Sequence, residues 1–288
     1  MSNIQAYLRP DSLEGALALL AEHQERARPL AGGTSLIFSH PPRVEVLVDL
    51  AGAGLDHVEH AETGGVDIGS MTSCSHLATA LRGRQLDKSA LTDALATLYT
   101  PVLRNHITVG GNCVMVYGWS HLPVTMWALD ARFMVVSHKA KPRDVDADTF
   151  FERHPLRWLG AGELLTQITV KSPAEGSGSA FLKFGRDKSD EGIASVAVSL
   201  RLQDEKVASA RLVVGSTRPM PQKLDDVAAL VVGKRPSKEV FAEAGEAAAK
   251  AVVASDNYLG SADYRRHIVA SLVRDALAKA TQRAGGAA

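Results

Sequence analysis

Cysteine is scarce in this chain: Cys74 and Cys113 are its only two in 288 residues. An iron–sulfur cluster usually takes about four thiolates and a structural zinc site about four ligands, and no CxxC spacing occurs. The ten histidines are scattered, with no HxxxH or HExxH spacing. We therefore expect this chain to carry no metal.

Excess charge of either sign is also missing. Lys plus Arg number 32 and Asp plus Glu number 32, and the pI is near 7.2, so we expect no nucleic-acid partner and no anionic membrane surface. No apolar run approaches the roughly 20 residues of a membrane-spanning helix. The residues from Met1 to Gln5 lack the basic and then apolar character of a leader. These features predict a cytoplasmic globular protein.

Two Gly-Gly pairs stand out against this background. The first lies in Leu30–Ile37, which reads LAGGTSLI, and the second in Thr108–Asn112, which reads TVGGN. Adjacent glycines allow positive φ and close approach of a ligand, and consecutive N–H groups in such a turn can form an anion-binding nest. Either pair alone is equally well an ordinary turn. Together they indicate a phosphate-binding site.

The N-terminal region alternates strands with a helix. Strands are predicted at 4–8, 28–31 and 44–50, with a helix that begins after Asp11 or Ser12. The first glycine segment then follows a strand, which is a usual ligand position in small α/β units. GxGxxG is absent, so we expect loops rather than a helix dipole to hold any dinucleotide. This region, 1–55, is the first predicted domain.

Residues 56–173 form the second predicted domain. Helices are expected at 75–81 and 89–99, and Pro101 ends the second of them. Residues 102–106 then lead into the second glycine pair, which we expect to be a loop. Strands are predicted at 133–136 and 166–170.

The third predicted domain, 174–288, opens on a linker-like composition at 173–179. Three strands are predicted at 180–184, 193–202 and 210–214. Three helices follow at 224–232, 237–254 and 261–282. This order predicts an α+β domain with a three-stranded antiparallel sheet.

Several stretches resemble one family. They are LAGGTSLI, VLVDLAG, RNHITVGGN, GELLTQI, AFLKFGRDKSDEGIASVAV and, near the C-terminus, GSADYRRHIVASLVRDAL. In this order they resemble the FAD-binding medium subunit of the molybdenum hydroxylases, the family of xanthine dehydrogenase and carbon monoxide dehydrogenase. The resemblance implies an α+β architecture: a two-subdomain FAD-binding fold (PCMH-like) followed by a C-terminal medium-subunit domain.

The resemblance also implies site residues. Lys183 occupies the place of a family lysine that approaches the flavin, although a surface lysine is the plain alternative. Leu165 matches a leucine that packs on the flavin ring, although simple core is nearly as good an interpretation. Arg186 and Asp190 keep a spacing that we interpret as structural. The implied FAD contacts are Leu30, Ala31, Gly32, Gly33, Thr34, Ser35, Leu36 and Ile37 on one side, Thr108, Val109, Gly110, Gly111 and Asn112 on the other, and His121, Leu165 and Lys183.

Three positions depart from the family pattern, and one of them is Cys74, which stands where the family has a histidine. His121 stands where the family usually has an aspartate that receives a hydrogen bond from the cofactor, and a histidine is no fixed negative charge. Ile107 stands where glycine is usual, and a β-branched residue disfavours positive φ. These changes affect the expected cofactor contacts more than the expectation of FAD itself.

The resemblance implies an electron-transfer subunit with no catalytic residue of its own. A large subunit would hold the molybdenum cofactor, a small subunit would hold [2Fe–2S] clusters, and FAD on this chain would pass electrons to an external acceptor, in a dimer of heterotrimers. Two alternatives stay open. One is a flavin-less scaffold or assembly subunit of the same family. The other is a stand-alone FAD oxidoreductase of the UDP-N-acetylenolpyruvoylglucosamine reductase type, against which the C-terminal resemblance argues.

Overall fold

A computed structural model describes residues 4–36, 43–62 and 64–286 of the chain. The N-terminal unit contains strand β1 (Ala6–Leu8), helix α1 (Leu13–His23), β2 (Ala27–Leu30) and β3 (Val46–Asp49). β3 lies between the other two strands and runs parallel to both. Ser12 caps α1 by accepting the N–H of Gly15 at 3.1 Å. The first glycine segment follows β2 directly, as the sequence predicts.

A second unit is built on an antiparallel sheet of five strands in the order β4-β5-β8-β6-β7. The strands are β4 (Val58–His60), β5 (Val66–Gly69), β6 (Arg132–Ser137), β7 (Arg143–Asp146) and β8 (Glu163–Val170). Six helices are inserted between these strands: α2 (Cys74–Ala80), α3 (Ala90–Thr97), α4 (Pro101–His106), α5 (Val109–Val114), α6 (His121–Ala128) and α7 (Ala147–Phe151). In the core between the sheet and α7, Phe133 stacks on Phe150, and Phe151 packs edge-on against both.

The third unit pairs an antiparallel sheet with three helices, α8 (Asp225–Val231), α9 (Lys238–Ala251) and α10 (Ala262–Arg283). Its strands are β9 (Ser177–Phe184), β10 (Ala194–Gln203), β11 (Lys206–Gly215) and β12 (Gln222–Lys223), in the order β12-β11-β10-β9. The predicted sheet of three strands lacked β12. A strand of two residues is too short to show an alternating pattern, so the sequence did not indicate it.

Two segments predicted as irregular are regular. β9 begins at Ser177, inside the predicted linker, and a β-carbon on Gly178 would lie 2.0 Å from the Ala280 carbonyl oxygen. That glycine therefore permits close packing of the strand on α10. Pro101 does end the preceding helical run, but it also occupies the first turn of α4, where its missing N–H costs nothing.

Helices of the second unit lie on the sheet of the third. α3 contacts β9, while α6 contacts β10 and β11. Each unit has a cluster of buried apolar side chains, but that of the second unit also includes Phe181, Ala197 and Val213 from the sheet of the third. The domain boundaries at 1–55, 56–173 and 174–288 stay predictions. In the ranges 4–36, 43–62 and 64–286, no helix is both long and apolar enough to cross a bilayer.

Candidate functional site

The first glycine segment presents free backbone donors. Gly33 has a φ of +71°, and among the described residues a β-carbon there would meet only Leu30 Cδ1, at 3.8 Å. Within the described part of the chain, the N–H groups of Gly33, Thr34 and Ser35 donate no hydrogen bond. Three consecutive unpaired N–H groups are the arrangement that an anion-binding nest requires. Ile37, the last predicted residue of this segment, lies outside the described residues.

A close backbone contact places this segment beside the second. A β-carbon on Gly32 would lie 1.6 Å from the His106 carbonyl oxygen, so only glycine fits where the first segment meets the end of α4. His106 precedes Thr108 by two residues. A hydrogen bond of 2.5 Å between Ser35 Oγ and the Tyr117 hydroxyl adds a second connection. The two glycine pairs, 77 to 79 residues apart in sequence, are therefore brought together.

The second segment is not a loop. Thr108 is the N-cap of α5, and its Oγ1 accepts the Gly111 N–H at 3.1 Å. The other N–H groups of its first turn are also occupied: Val109 donates to the Thr72 carbonyl and Gly110 to the Ser70 carbonyl. The predicted nest of free N–H groups is therefore wrong here. A β-carbon on Gly110 would lie 2.5 Å from Ser70 Cβ, so this glycine permits packing on β5.

The side chains of Thr108 and Asn112 offer further donors at the second segment. The Asn112 Oδ1 accepts the Leu122 N–H at 3.3 Å, which turns the amide nitrogen away from α6. Ile107, the departure beside this segment, ends α4 at a φ of −66°. Because that conformation suits any residue, the isoleucine imposes no strain.

The Lys183 ammonium group donates hydrogen bonds to backbone carbonyl oxygens. Its Nζ donates to the carbonyls of Asp190 at 2.5 Å, Lys188 at 2.9 Å and Thr97 at 3.4 Å. Burial lowers the pKa of Lys183, while Asp187 and Asp190 oppose that shift. An ammonium group has three donors, so Lys183 brings positive charge to the site and anchors the turn at 186–190. Arg186 and Asp190, whose spacing we interpret as structural, form a salt bridge in that turn, at 3.1 Å.

His121 is a core residue at the start of α6. It is 3% exposed, its Nδ1 lies 3.4 Å from the Ala94 carbonyl oxygen, and its ring centroid is 5.1 Å from that of Phe181. Burial, with the nearby charge of Lys183, lowers its pKa to about 3, although the hydrogen bond to Ala94 acts in the opposite direction. The imidazole is therefore neutral at pH 7.

That depressed pKa predicts an acid dependence of stability. A histidine with a pKa near 6.5 when unfolded and about 3 when folded binds its proton preferentially in the unfolded state. Between those values, stability falls as pH falls, by about 1.4 kcal/mol per pH unit for one proton. We expect His121→Leu to flatten the free energy of unfolding between pH 6 and 4, measured by urea denaturation. His267→Leu, on the exposed side of α10, is the control, and an equal slope in wild type and His121→Leu would contradict the assignment.

Leu165 lies on β8 and is 5% exposed. It pairs with Val135 and belongs to the apolar cluster of the second unit. Its place in the core is thus clear, and its contact with a flavin ring stays a prediction.

Sequence reasoning missed an aromatic group beside these residues. Tyr117 and Trp119 stack in parallel, with ring centroids 5.0 Å apart and planes at 6°. They line a cavity of about 360 Å³ together with Glu191 and Tyr258, which hydrogen-bond to each other. Burial and the Glu191 carboxylate raise the pKa of Tyr99, and a hydrogen bond with Trp119 opposes them. The sequence Tyr-Gly-Trp does not by itself predict that the two rings stack, because their relative orientation depends on the conformation of the loop.

The comparisons with known proteins identify the family. Residues 2–173 match the family described as the FAD binding domain in molybdopterin dehydrogenase. Residues 179–280 match the CO dehydrogenase flavoprotein C-terminal domain. The chain belongs to the FAD-binding medium subunits of the molybdenum hydroxylases. It is accordingly an oxidoreductase subunit with a FAD-binding domain.

Individual relatives cover nearly the whole chain. The 6-hydroxypseudooxynicotine dehydrogenase complex subunit alpha of Paenarthrobacter nicotinovorans is 30% identical over 96% of this chain and 95% of that protein. The carbon monoxide dehydrogenase medium chain of Afipia carboxidovorans is 29% identical over 96% and 97%. The solved carbon monoxide dehydrogenase of Hydrogenophaga pseudoflava, at 27% identity, superposes with a TM-score of 0.89 over 98% of this chain and 99% of that one. The mixed α/β fold is therefore that of the carbon monoxide dehydrogenase medium subunits.

Proposed function

We propose that this medium subunit binds FAD between its two glycine segments, with the pyrophosphate on the free N–H groups of Gly33, Thr34 and Ser35. Those three consecutive donors are the observation that carries the proposal. The Thr108 hydroxyl and the Asn112 amide supply further donors from the other side. The remaining predicted contacts, Leu30–Ile37 and Thr108–Asn112 as a whole, belong to the same proposal.

The residues present fit a dinucleotide with a phosphate end and a ring end. Among the described residues, Gly33 leaves open space above the nest, where a β-carbon would project. Tyr117, which hydrogen-bonds to Ser35, lines the cavity of about 360 Å³, and so does Gly192. A β-carbon on Gly192 would lie 3.1 Å from Lys183 Cγ, so this part of the cavity is next to the lysine side chain. The site thus extends from the nest to the positive charge of Lys183. That charge favours a reduced, anionic flavin over a neutral one.

FAD supplies the capacity to accept electrons and to pass them on. We infer that a large subunit holds the molybdenum cofactor and that a small subunit holds [2Fe–2S] clusters, in a dimer of heterotrimers. Electrons would pass from those clusters through FAD on this chain to an external acceptor. The names of the relatives, a "medium chain" and a "complex subunit", support an assembly of several chains. His121 is a buried, neutral imidazole that packs against Phe181, and it contributes no charge to the proposed site.

The spectrum of the purified chain tests the cofactor. We expect the absorption bands of oxidised flavin, and FAD released on denaturation in an amount equimolar with the chain, because the nest and the cavity are formed without other subunits. Denaturation followed by chromatography identifies the released flavin. A colourless chain that takes up no added FAD would contradict the proposal and would favour the scaffold alternative. Co-purification with two further chains that contain molybdenum and iron tests the assembly separately.

A further inference from the structure

The stacked pair Tyr117–Trp119 occupies a defined place in the site. On one side, the Tyr117 hydroxyl is 2.5 Å from Ser35 Oγ, next to the phosphate nest. On the other side, the cavity that the pair lines is closed by Glu191 and Gly192, and Gly192 packs on Lys183. The pair therefore lies between the two ends of the proposed FAD site, and this inference rests on that proposed function.

The turn that carries the pair is fixed by hydrogen bonds. Ser120 Oγ accepts the Tyr117 N–H at 3.1 Å, and the Ser120 N–H donates to the Tyr117 carbonyl at 2.9 Å. Gly118 separates the two aromatic residues without a side chain of its own. Because this turn immediately precedes α6, the phenol and the indole are held at a set orientation. A stack fixed in this way loses little conformational freedom when it receives a third ring.

The rings of Tyr117 and Trp119 are also partly exposed. Both rings are half-buried, whereas Phe133 and Phe150 in the core of the same unit are fully buried. Aromatic faces that are open on one side favour offset stacking with a planar ring, and ring stacking on tryptophan or tyrosine is a general way of holding heteroaromatic bases.

We propose that Tyr117 and Trp119 form the platform on which the flavin ring of FAD stacks, with Trp119 as the ring in contact. Tyr117 is then a positioning residue that connects the platform to the phosphate segment through Ser35. This assigns the ring end of the cofactor to residues that lie outside both glycine segments.

Fluorescence separates a stacked ring from a distant one. An indole in van der Waals contact quenches flavin fluorescence because it transfers an electron to the excited flavin. The electron returns to the indole when the pair relaxes to the ground state. We expect FAD bound to the wild-type chain to be almost non-fluorescent. Trp119→Leu should restore emission several-fold and weaken FAD binding by about tenfold, the equivalent of one stacking contact. Trp119→Phe should restore the emission while largely keeping the affinity, because phenylalanine stacks but is a poor electron donor.

A matched control is available in the same unit. Trp158 is half-buried and packs edge-on against Phe150 at 5.3 Å, away from the cavity, so Trp158→Leu should leave bound FAD dark. Tyr117→Phe should keep the quenching but lower FAD affinity, because it removes only the bond to Ser35. If Trp119→Leu folds, holds FAD as tightly as wild type and leaves it dark, the platform is wrong while the proposed function stands. If the wild-type chain binds no FAD, the proposed function fails and the platform with it.

Discussion

Replacing Gly32 with alanine is expected to abolish FAD retention. The new β-carbon would lie 1.6 Å from the His106 carbonyl oxygen and 2.7 Å from its carbonyl carbon. Both neighbours are backbone atoms of α4 and cannot rotate away, so the first glycine segment must move. Overpacking of this kind costs about 1–3 kcal/mol. The larger consequence is functional, because the shift separates the N–H groups of Gly33 to Ser35 from Thr108.

Two further glycines make this experiment interpretable. Gly33 has a φ of +71° and Gly83 a φ of +70°, and neither would place a β-carbon within 3.4 Å of a neighbour. Alanine at either position should cost about 1–2 kcal/mol through the left-handed conformation alone. We expect Gly83→Ala to retain FAD fully, and Gly33→Ala to weaken it because the methyl group enters the phosphate side. FAD titration monitored by absorbance gives the affinities, and thermal unfolding gives the stabilities.

The FAD affinities of these variants distinguish a local effect of the Gly32–His106 contact from a general loss of stability. A folded Gly32→Ala protein with wild-type FAD affinity would show that the contact with His106 does not order the site. Equal losses of FAD in Gly32→Ala and Gly83→Ala would show that general instability, and not the position of the segment, releases the cofactor.

The sequence predicted the first glycine segment more fully than the second. The short strand predicted at 28–31 places the segment directly after a strand, and the positive φ at Gly33 is one that glycine adopts readily. TVGGN lacks such a pattern, because two glycines lower helix propensity and conceal the capping role of Thr108. The hydrogen bonds to Ser70 and Thr72, which occupy the expected nest, come from a strand end about 40 residues earlier in the chain. No local pattern reports a contact of that range.

The same limit applies to single residues. Lys183 was identified through the family resemblance, but its three carbonyl partners lie at the end of α3 and in the turn at 186–190. Tyr117 and Trp119 are ordinary loop residues until the turn at Ser120 stacks them. Sequence patterns thus predicted the segments of the site, and tertiary contacts decide which atoms of those segments stay free for a ligand.

Removing the Asp93 carboxylate should loosen the same site from a distance. Asp93, on α3, accepts hydrogen bonds from Lys279 at 2.9 Å, from Arg283 at 2.6 Å and from the Phe181 N–H at 3.1 Å. It therefore joins the second unit to α10 and to β9. Its side chain is 15% exposed, and breaking a largely buried ion pair costs about 3–5 kcal/mol. We expect Asp93→Ala to lower the free energy of unfolding by an amount in this range, measured by urea denaturation.

Asp148 is the matched control. It also joins the second and third units, through Lys223 at 2.7 Å and Arg211 at 3.3 Å, but its side chain is 46% exposed. Exposed pairs contribute about 0–1 kcal/mol, so Asp148→Ala should be much milder. Similar losses in the two variants would contradict the burial argument.

The pH dependence of Asp93 has a definite sign. Burial would raise the pKa of this carboxyl, but the hydrogen bonds from Arg283, Lys279 and Phe181 lower it overall. The ion pair therefore stabilises the fold fully above the unfolded carboxyl pKa of about 4, and this contribution is lost as pH falls through the lower folded value. Asp93→Asn should remove that part of the acid dependence while keeping the side-chain shape. Because α3 ends at Thr97, whose carbonyl holds Lys183, and β9 carries Lys183 itself, FAD should also bind more weakly in Asp93→Ala than in Asp148→Ala.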